Sequence, residues 1–221
     1  MKKEILIKDT NKVLYPTKII CLGKNYQNHI KEMKSETPEK PILFLKPTSS
    51  IIYNNDSIII PKESTNPHHE VEFVVAIGKK AKNISSKEAF KYIAGFGIGL
   101  DITLRDFQTE AKKYGNPWGI CKGFDNSAPV SEFYSPSVIK KPQDQTLQLY
   151  KNDNLMQNDN TKHMIFNIKE TIEYITKFFT LYPGDLIFTG TPSGVGPIED
   201  GDSLRAELGD LITLQNSVQI M

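Results

Sequence analysis

Cysteine is scarce: Cys21 and Cys121 are the only two in 221 residues. Two residues that far apart make no disulfide framework and suit a reducing compartment. Long apolar runs are missing as well. The N-terminal stretch Ile5-Leu6-Ile7 lies between Glu4 and Lys8, too short for a signal peptide, and nothing approaches the ~20 apolar residues of a membrane span. The expectation is a cytoplasmic protein without membrane contact. There is no surplus of either charge, since 27 Lys and Arg stand against 26 Asp and Glu. With basic residues dispersed along the chain, a nucleic-acid partner is not expected. Internal repeats and low-complexity segments are absent, and Pro and Gly are scattered as turn punctuation, so the chain reads as one domain with a real core.

The elements that are there alternate irregularly. Ser50 to Tyr53 and Ser57 to Ile60 read as a hairpin around Asn54-Asn55-Asp56, as do Leu147 to Tyr150 and Leu155 onward around Asn152-Asp153-Asn154. Ser85 with Glu88, and Thr103 with Asp106, read as capping boxes that open helices running to about Ile93 and Gly115. Ile168, Ile172, Ile175 and Phe179 mark a third helix, stopped by Pro183-Gly184, and Asp185 to Thr189 resumes as a strand. The hairpins and the lack of regular strand-helix alternation predict an α+β fold with a β-rich core.

The most informative stretch is His68-His69-Glu70-Val71-Glu72, followed by Asp101 at the end of Gly95-Phe96-Gly97-Ile98-Gly99-Leu100. If His69 to Ile77 is a strand, its period of two points Glu70 and Glu72 the same way, with Val71 and Phe73 opposite. Two acids that close repel unless a cation lies between them or one is protonated. Asp101, at a strand-helix junction, can supply a third oxygen. Oxygen-only ligation favours Mg²⁺ or Mn²⁺ over zinc. The plain alternative is a half-buried strand whose acids face water.

Three further groups carry chemistry. In Gly23-Lys24-Asn25-Tyr26-Gln27-Asn28-His29-Ile30-Lys31-Glu32, a turn or two of helix makes His29 and Glu32 neighbours, either a dyad that activates water or an ordinary surface pair. Trp118-Gly119-Ile120-Cys121-Lys122-Gly123 sets Lys122 among glycines, either to hold an anionic oxygen or to snorkel from a turn. Cys121 beside it is a candidate low-pKa thiol or a small packed residue. Thr189-Gly190-Thr191-Pro192-Ser193-Gly194 lacks the Gly-Lys-Ser/Thr ending of a phosphate loop, so a nucleotide is not expected. Its backbone and hydroxyls can instead hold a small carboxylate. Arg105 and Gln108, three apart on one helix, are candidates for a second polar end of the substrate.

In this order, and over nearly everything from Ile20 to Val218, these segments resemble the fumarylacetoacetate hydrolase family, specifically its short-chain acylpyruvate hydrolase and oxaloacetate-acting branch. Phe44-Leu45-Lys46-Pro47, Lys122-Gly123-Phe124-Asp125, Met164-Ile165-Phe166 and Gly184-Asp185-Leu186-Ile187-Phe188 join the motifs already quoted. The resemblance implies a mixed β-sandwich roll, a homodimer, and Mg²⁺ or Mn²⁺ on Glu70, Glu72 and Asp101. It divides the chain into a short extension (1–19) and a catalytic domain (20–221). It further implies His29 with Glu32 as the base, Lys122 as a stabiliser of negative charge, and Lys24, Arg105, Gln108, Thr189, Gly190 and Thr191 as substrate contacts. Lys24 stands where relatives often carry Arg.

The implied activity is on small 2-oxo acids through an enolate: C–C hydrolysis of acylpyruvates or decarboxylation of oxaloacetate, with keto-enol tautomerisation or isomerisation of oxaloacetate or of a 2-hydroxydienedioate of aromatic catabolism as the alternative. Two readings of other kinds compete. A non-catalytic dicarboxylate binder would keep the acids and need no base, and a metal-dependent phosphoryl-transfer enzyme or nuclease would ordinarily show a basic surface.

Overall fold

Val71–Ile77 is buried at every one of its seven positions, because both faces of this strand meet a core. Val71, Phe73, Val75 and Ile77 enter one apolar cluster, and Val74 and Ala76 enter a second. Glu72 belongs to the second face by the period of two. The acid pair therefore does not look out at water, and the half-buried alternative fails.

The computed structural model describes residues 2–221. In chain order, the elements that frame the site are β1 (Ile19–Gly23), α1 (Gln27–Glu32), β2 (Ile42–Lys46), β3 (Ser57–Ile60), β4 (Pro67–His69), β5 (Val71–Ile77), β6 (Ile93–Leu100), β7 (Thr103–Leu104), α2 (Arg105–Tyr114), α3 (Gly119–Gly123), β8 (Thr146–Lys151), β9 (Asn154–Asn160), α4 (Ile168–Phe178), β10 (Leu186–Phe188), β11 (Gly196–Pro197), β12 (Ser203–Leu208) and β13 (Ile212–Ile220). One five-stranded sheet has the order β2-β1-β10-β5-β6, and another has the order β9-β8-β12-β13-β3. Each is mixed: β10 runs parallel to β1, β13 runs parallel to β3, and the remaining neighbours are antiparallel. The larger cluster joins the two sheets, with Phe73 and Val75 of the first and Leu149, Leu204 and Leu214 of the second. This is the β-rich mixed α+β roll expected.

The second cluster packs the outer face of the first sheet. Ile5, Ile7 and Leu14 come from an N-terminal hairpin (Ile5–Ile7 with Lys12–Leu14), and they meet Val74, Phe133 and Phe188. The expected boundary at residue 19 falls on the first residue of β1. The glycines of β6 allow this layer to come close: a Cβ at Gly99, the residue opposite Glu72, would lie 2.8 Å from the ring of Phe188.

Local readings differ from the structure in four places. The turn at Asn54-Asn55-Asp56 exists, but its two flanks join different partners: Ile51–Ile52 pairs with Ala128–Pro129, and β3 pairs with β13. Ser85 bonds the Glu88 carboxylate, yet only a 3-10 turn, Ala89–Tyr92, follows. Thr103 does not cap α2, because β7 pairs with β4 and takes Thr103 into a sheet, while Asp106 receives Ser64 and Thr65. Helix α4 opens on an Asn167/Glu170 capping box and ends at Phe178, so Pro183-Gly184 forms the turn into β10 and is not the stop. The hairpin β8–β9 is formed as read, with Asn152 and Asp153 both at positive φ.

Gly184 has φ +97°, and a Cβ there would lie 2.6 Å from the backbone of Tyr15. Gly184→Ala should cost about 2 kcal/mol or more, from left-handed backbone strain plus displacement of the neighbouring chain. Urea unfolding measures it, and parent-like stability would contradict this packing.

Candidate active site

Where β4 gives way to β5, the sheet pairing breaks at Glu70, and the backbone N–H of Asp101 donates to the Glu70 carbonyl at 2.8 Å. That bond brings the end of β6 beside the break. Glu70, Glu72 and Asp101 consequently converge, each 5 % exposed or less, with carboxylate oxygens within 4.8 Å of one another.

Three buried cations surround them. Lys122 Nζ donates to Glu70 Oε2 at 2.8 Å, to Asp101 Oδ2 at 2.5 Å and to Thr103 Oγ1 at 2.6 Å. Its three hydrogens are thereby used, so Lys122 serves the acids first and reaches a substrate oxygen only by exchanging a partner. Arg105 Nη2 donates to Glu70 Oε1 at 2.5 Å and Nη1 to Gln108 Oε1 at 2.6 Å. Lys46 lies 2.9 Å from Asp101 Oδ1 without hydrogen-bond geometry, and it donates to the carbonyls of Ile102, Lys122 and Ser127.

The acids feel this framework unequally. Burial pushes Glu70 up, but Lys122 and Arg105 outweigh it and hold its carboxyl well below the usual range. Glu72 is pushed well above that range by burial and then by the charges of Asp101 and Glu70. Lys122 and a bond from the Gly190 N–H at 2.7 Å only partly oppose this. A raised buried acid beside two others, together with an Asp101 Oδ1 that lacks a hydrogen-bond partner, is a donor set suited to a hard divalent cation. The neighbouring histidines stay outside it. His68 Nε2 is 3.0 Å from Asn66 Oδ1 and His69 Nδ1 is 3.1 Å from Gln157 Oε1, and neither ring joins the cluster of Glu70, Glu72 and Asp101, whose donor atoms are all oxygen.

Across the pocket, α1 carries the dyad: His29 Nδ1 lies 3.1 Å from Glu32 Oε2, and Glu32 Oε1 accepts from the Gly194 N–H at 3.0 Å. With Nδ1–H directed at the carboxylate, Nε2 is the basic nitrogen. The pocket, of about 210 Å³, is lined by Lys24, His29, the three acids, Arg105, Gln108, Lys112, Trp118, Lys122 and Thr191 among others.

Two expected contacts lie elsewhere. Thr189 is buried, and its hydroxyl donates to the Phe73 carbonyl at 2.8 Å, holding β10 to β5. Gly190 spends its N–H on Glu72. Thr191 lines the pocket and accepts from Gln157 Nε2 at 2.9 Å. Cys121 is a packed residue whose thiol is pushed up by burial, not a lowered one. Sequence reasoning missed Lys46, Gln157 and Asn25. Asn25 bonds Phe166 and Thr189 through both ends of its amide and so fixes the loop before α1. Its place in Gly23-Lys24-Asn25-Tyr26 was the available signal.

Residues 18–219 match the family described as fumarylacetoacetate (FAA) hydrolase C-terminal. The chain belongs to this family. It is 40% identical over 201 residues to a mitochondrial oxaloacetate tautomerase of Bos taurus, covering 91% of each chain. It is 45% identical over 192 residues to the oxaloacetate tautomerase YcgM of Escherichia coli, covering 86% of this chain and 88% of that one. In structure it resembles a fumarylpyruvate hydrolase from Pseudomonas aeruginosa, crystallised with Mn²⁺ and pyruvate, at a TM-score of 0.95 and 32% identity over 100% of this chain and 97% of the other. No helix among the described residues is long and apolar enough to cross a membrane.

Because Glu72 is raised, this group keeps its proton in the folded protein above about pH 4.5, where the unfolded chain loses it. The stability this group contributes is present at acid pH and is lost as pH rises through its folded pKa. A divalent cation reverses that loss. Mn²⁺ should therefore release a proton on binding and raise the melting temperature more as pH increases. Calorimetry in two buffers of different ionisation enthalpy, with melts across pH, checks both, and binding without proton release would remove Glu72 from the ligand set.

Proposed function

We propose that this protein is a divalent-cation-dependent enzyme of small 2-oxo acids, with Glu70, Glu72 and Asp101 as the ligands of Mg²⁺ or Mn²⁺ and His29 as the base. The observation that carries this is the buried His29, held from behind by the outer carboxylate of Glu32, facing a buried acid cluster across one pocket. A bound cation supplies positive charge to the carboxylate and keto oxygens of the substrate, which lowers the cost of an enolate. Arg105 and Lys122 hold Glu70, and Lys122 also holds Asp101, so the ligands are aimed before a substrate arrives. Glu32, pinned by Gly194, keeps His29 Nε2 free to take a proton and stabilises the imidazolium that results. Arg105, Gln108, Lys24 and Thr191 are the proposed substrate contacts.

Two reactions use the same base. Taking a proton from carbon and returning it to oxygen interconverts the keto and enol forms, the activity in the names of the bovine and E. coli relatives. Taking a proton from water makes a nucleophile for C–C hydrolysis of an acylpyruvate, the class of the P. aeruginosa structure. A cytoplasmic homodimer belongs to this reading. Two free, buried cysteines support a reducing compartment, and light scattering tests the dimer.

A binder without chemistry has no use for a pinned base. His29→Ala should therefore depress both oxaloacetate tautomerisation and acetylpyruvate cleavage by roughly 10²–10⁴ in kcat while Mn²⁺ affinity stays near the parent's. Undiminished rates in both assays would refute the base. Lys122→Met should lower kcat by about a hundredfold or more and also weaken Mn²⁺ binding, since it releases Glu70 and Asp101 together. A fall in kcat with unchanged Mn²⁺ affinity would mean that Lys122 acts on substrate alone.

A further inference from the structure

The acid cluster forms the buried floor of the pocket, whereas its lining also carries two lysines: Lys24, already a proposed substrate contact, and Lys112, which the reaction described above leaves without a task. Lys112 follows Gln108 by four residues and Arg105 by seven, which puts all three on one stripe of α2 facing the pocket. Its ammonium lies 5.6 Å from the centroid of Trp118, whose ring packs against Phe44 at 5.7 Å, so the side chain rests on an apolar wall with its charge at the rim.

Glu70, the acid whose field Lys112 feels, is already held by Arg105 and Lys122. Partial burial and the charges of Arg105, Lys122 and Lys24 all push the Lys112 pKa down. Lys24 sits at φ +59°, a left-handed conformation that costs a residue with a Cβ on the order of 1 kcal/mol. The bonds from Asn25 to Phe166 and Thr189 hold it there, with its side chain on the pocket lining. Two cations without carboxylate partners among the described residues, one on strained backbone, are gathered on the lining of a pocket too small for a large ligand. The arrangement is repulsive until an anion enters.

We propose that Lys112, together with Lys24, forms a second anion subsite at the mouth of the pocket that selects 2-oxo acids ending in a second carboxylate over those ending in an apolar group. This rests on the reading that the 2-oxo acid end lies at Glu70, Glu72 and Asp101. Lys112 thus sets specificity, and the floor performs the chemistry.

The test uses two ligands of equal length that differ at the far end, 2-oxoglutarate and 2-oxopentanoate, titrated by calorimetry into the Mn²⁺-loaded protein. The parent should favour the dianion by about tenfold or more, the scale of one charge-assisted bond. Lys112→Met should erase most of that preference while leaving 2-oxopentanoate affinity unchanged, Lys112→Arg should restore it, and Lys24→Met should reduce it. Melting curves should stay near the parent's for Lys112→Met, since the residue lies at the surface and methionine keeps an apolar stem against Trp118. An unchanged preference in Lys112→Met, or equal losses for both ligands, would overturn the subsite. Oxaloacetate turnover by the parent, measured alongside, separates the two proposals: no turnover with an intact, Lys112-dependent preference refutes the enzyme reading alone. Turnover without any preference refutes the subsite alone, and binding of neither ligand refutes both.

Discussion

Three buried carboxylates held by three buried cations are the constraint on which the rest of this structure depends. Desolvating one unpaired ion costs several kcal/mol, so Glu70 and Asp101 stay charged in the interior because Lys46, Arg105 and Lys122 are brought to them, whereas Glu72, with no cation of its own, is pushed toward its neutral form. Each cation arrives from a different element. Lys46 ends β2, Arg105 opens α2, and Lys122 lies in α3. The cluster therefore couples the central sheet to both helices. The arrangement is not neutral acid by acid. Glu70 has two cations and Glu72 has none of its own, and that asymmetry leaves Glu72 as the acid whose charge calls for an added ion.

The surrounding bonds show how backbone and side chain share the work of aiming. Asp101 is set by its own N–H on Glu70, Glu72 by the N–H of Gly190, and Glu32 by the N–H of Gly194. Gly190 and Gly194 both have positive φ, so the 189–194 loop follows a path that presents N–H groups to carboxylates on two sides. Gln157 supports this loop from below. Its carbonyl accepts from His69 and from the Val71 N–H, and its amide donates to Thr191 and Pro192. A single buried amide thus ties β9, the start of β5 and the loop.

What could be read from the sequence follows from the range of the interactions concerned. Glu70 with Glu72, and His29 with Glu32, are local pairs set by strand and helix periods, and the structure keeps both. The hairpin at Asn152-Asp153 is local as well, and it formed. The hairpin at Asn54-Asn55-Asp56 did not, although its turn signal is as strong, because β13 offers β3 a longer partner and Ala128–Pro129 claims the other flank. Thr103 and Thr189 were misjudged for a related reason: a hydroxyl is satisfied by whichever acceptor the tertiary structure brings, here the Asp101 and Phe73 carbonyls. Lys46 was legible only as part of a family motif. Nothing in Phe44-Leu45-Lys46-Pro47 reveals that its ammonium will meet carbonyls 56 to 81 residues further along.

One base for two reactions then becomes a question of what stands next to it. In the proposed reactions His29 Nε2 would take a proton from whichever acidic atom the pocket presents, and Glu32, 3.1 Å from Nδ1, would support the imidazolium in either case. Tautomerisation needs the proton to return to the same molecule, which a closed and dry site favours. Hydrolysis needs a water held beside the base and an acyl carbonyl within its reach. The constellation of acids and cations is common to both, so the choice between them rests on the groups at the rim and on the shape of the substrate beyond its 2-oxo acid end. In this chain the rim is built from Lys24, Lys112 and Trp118, outside the buried charge cluster, and it can vary without disturbing the pairing that the fold requires.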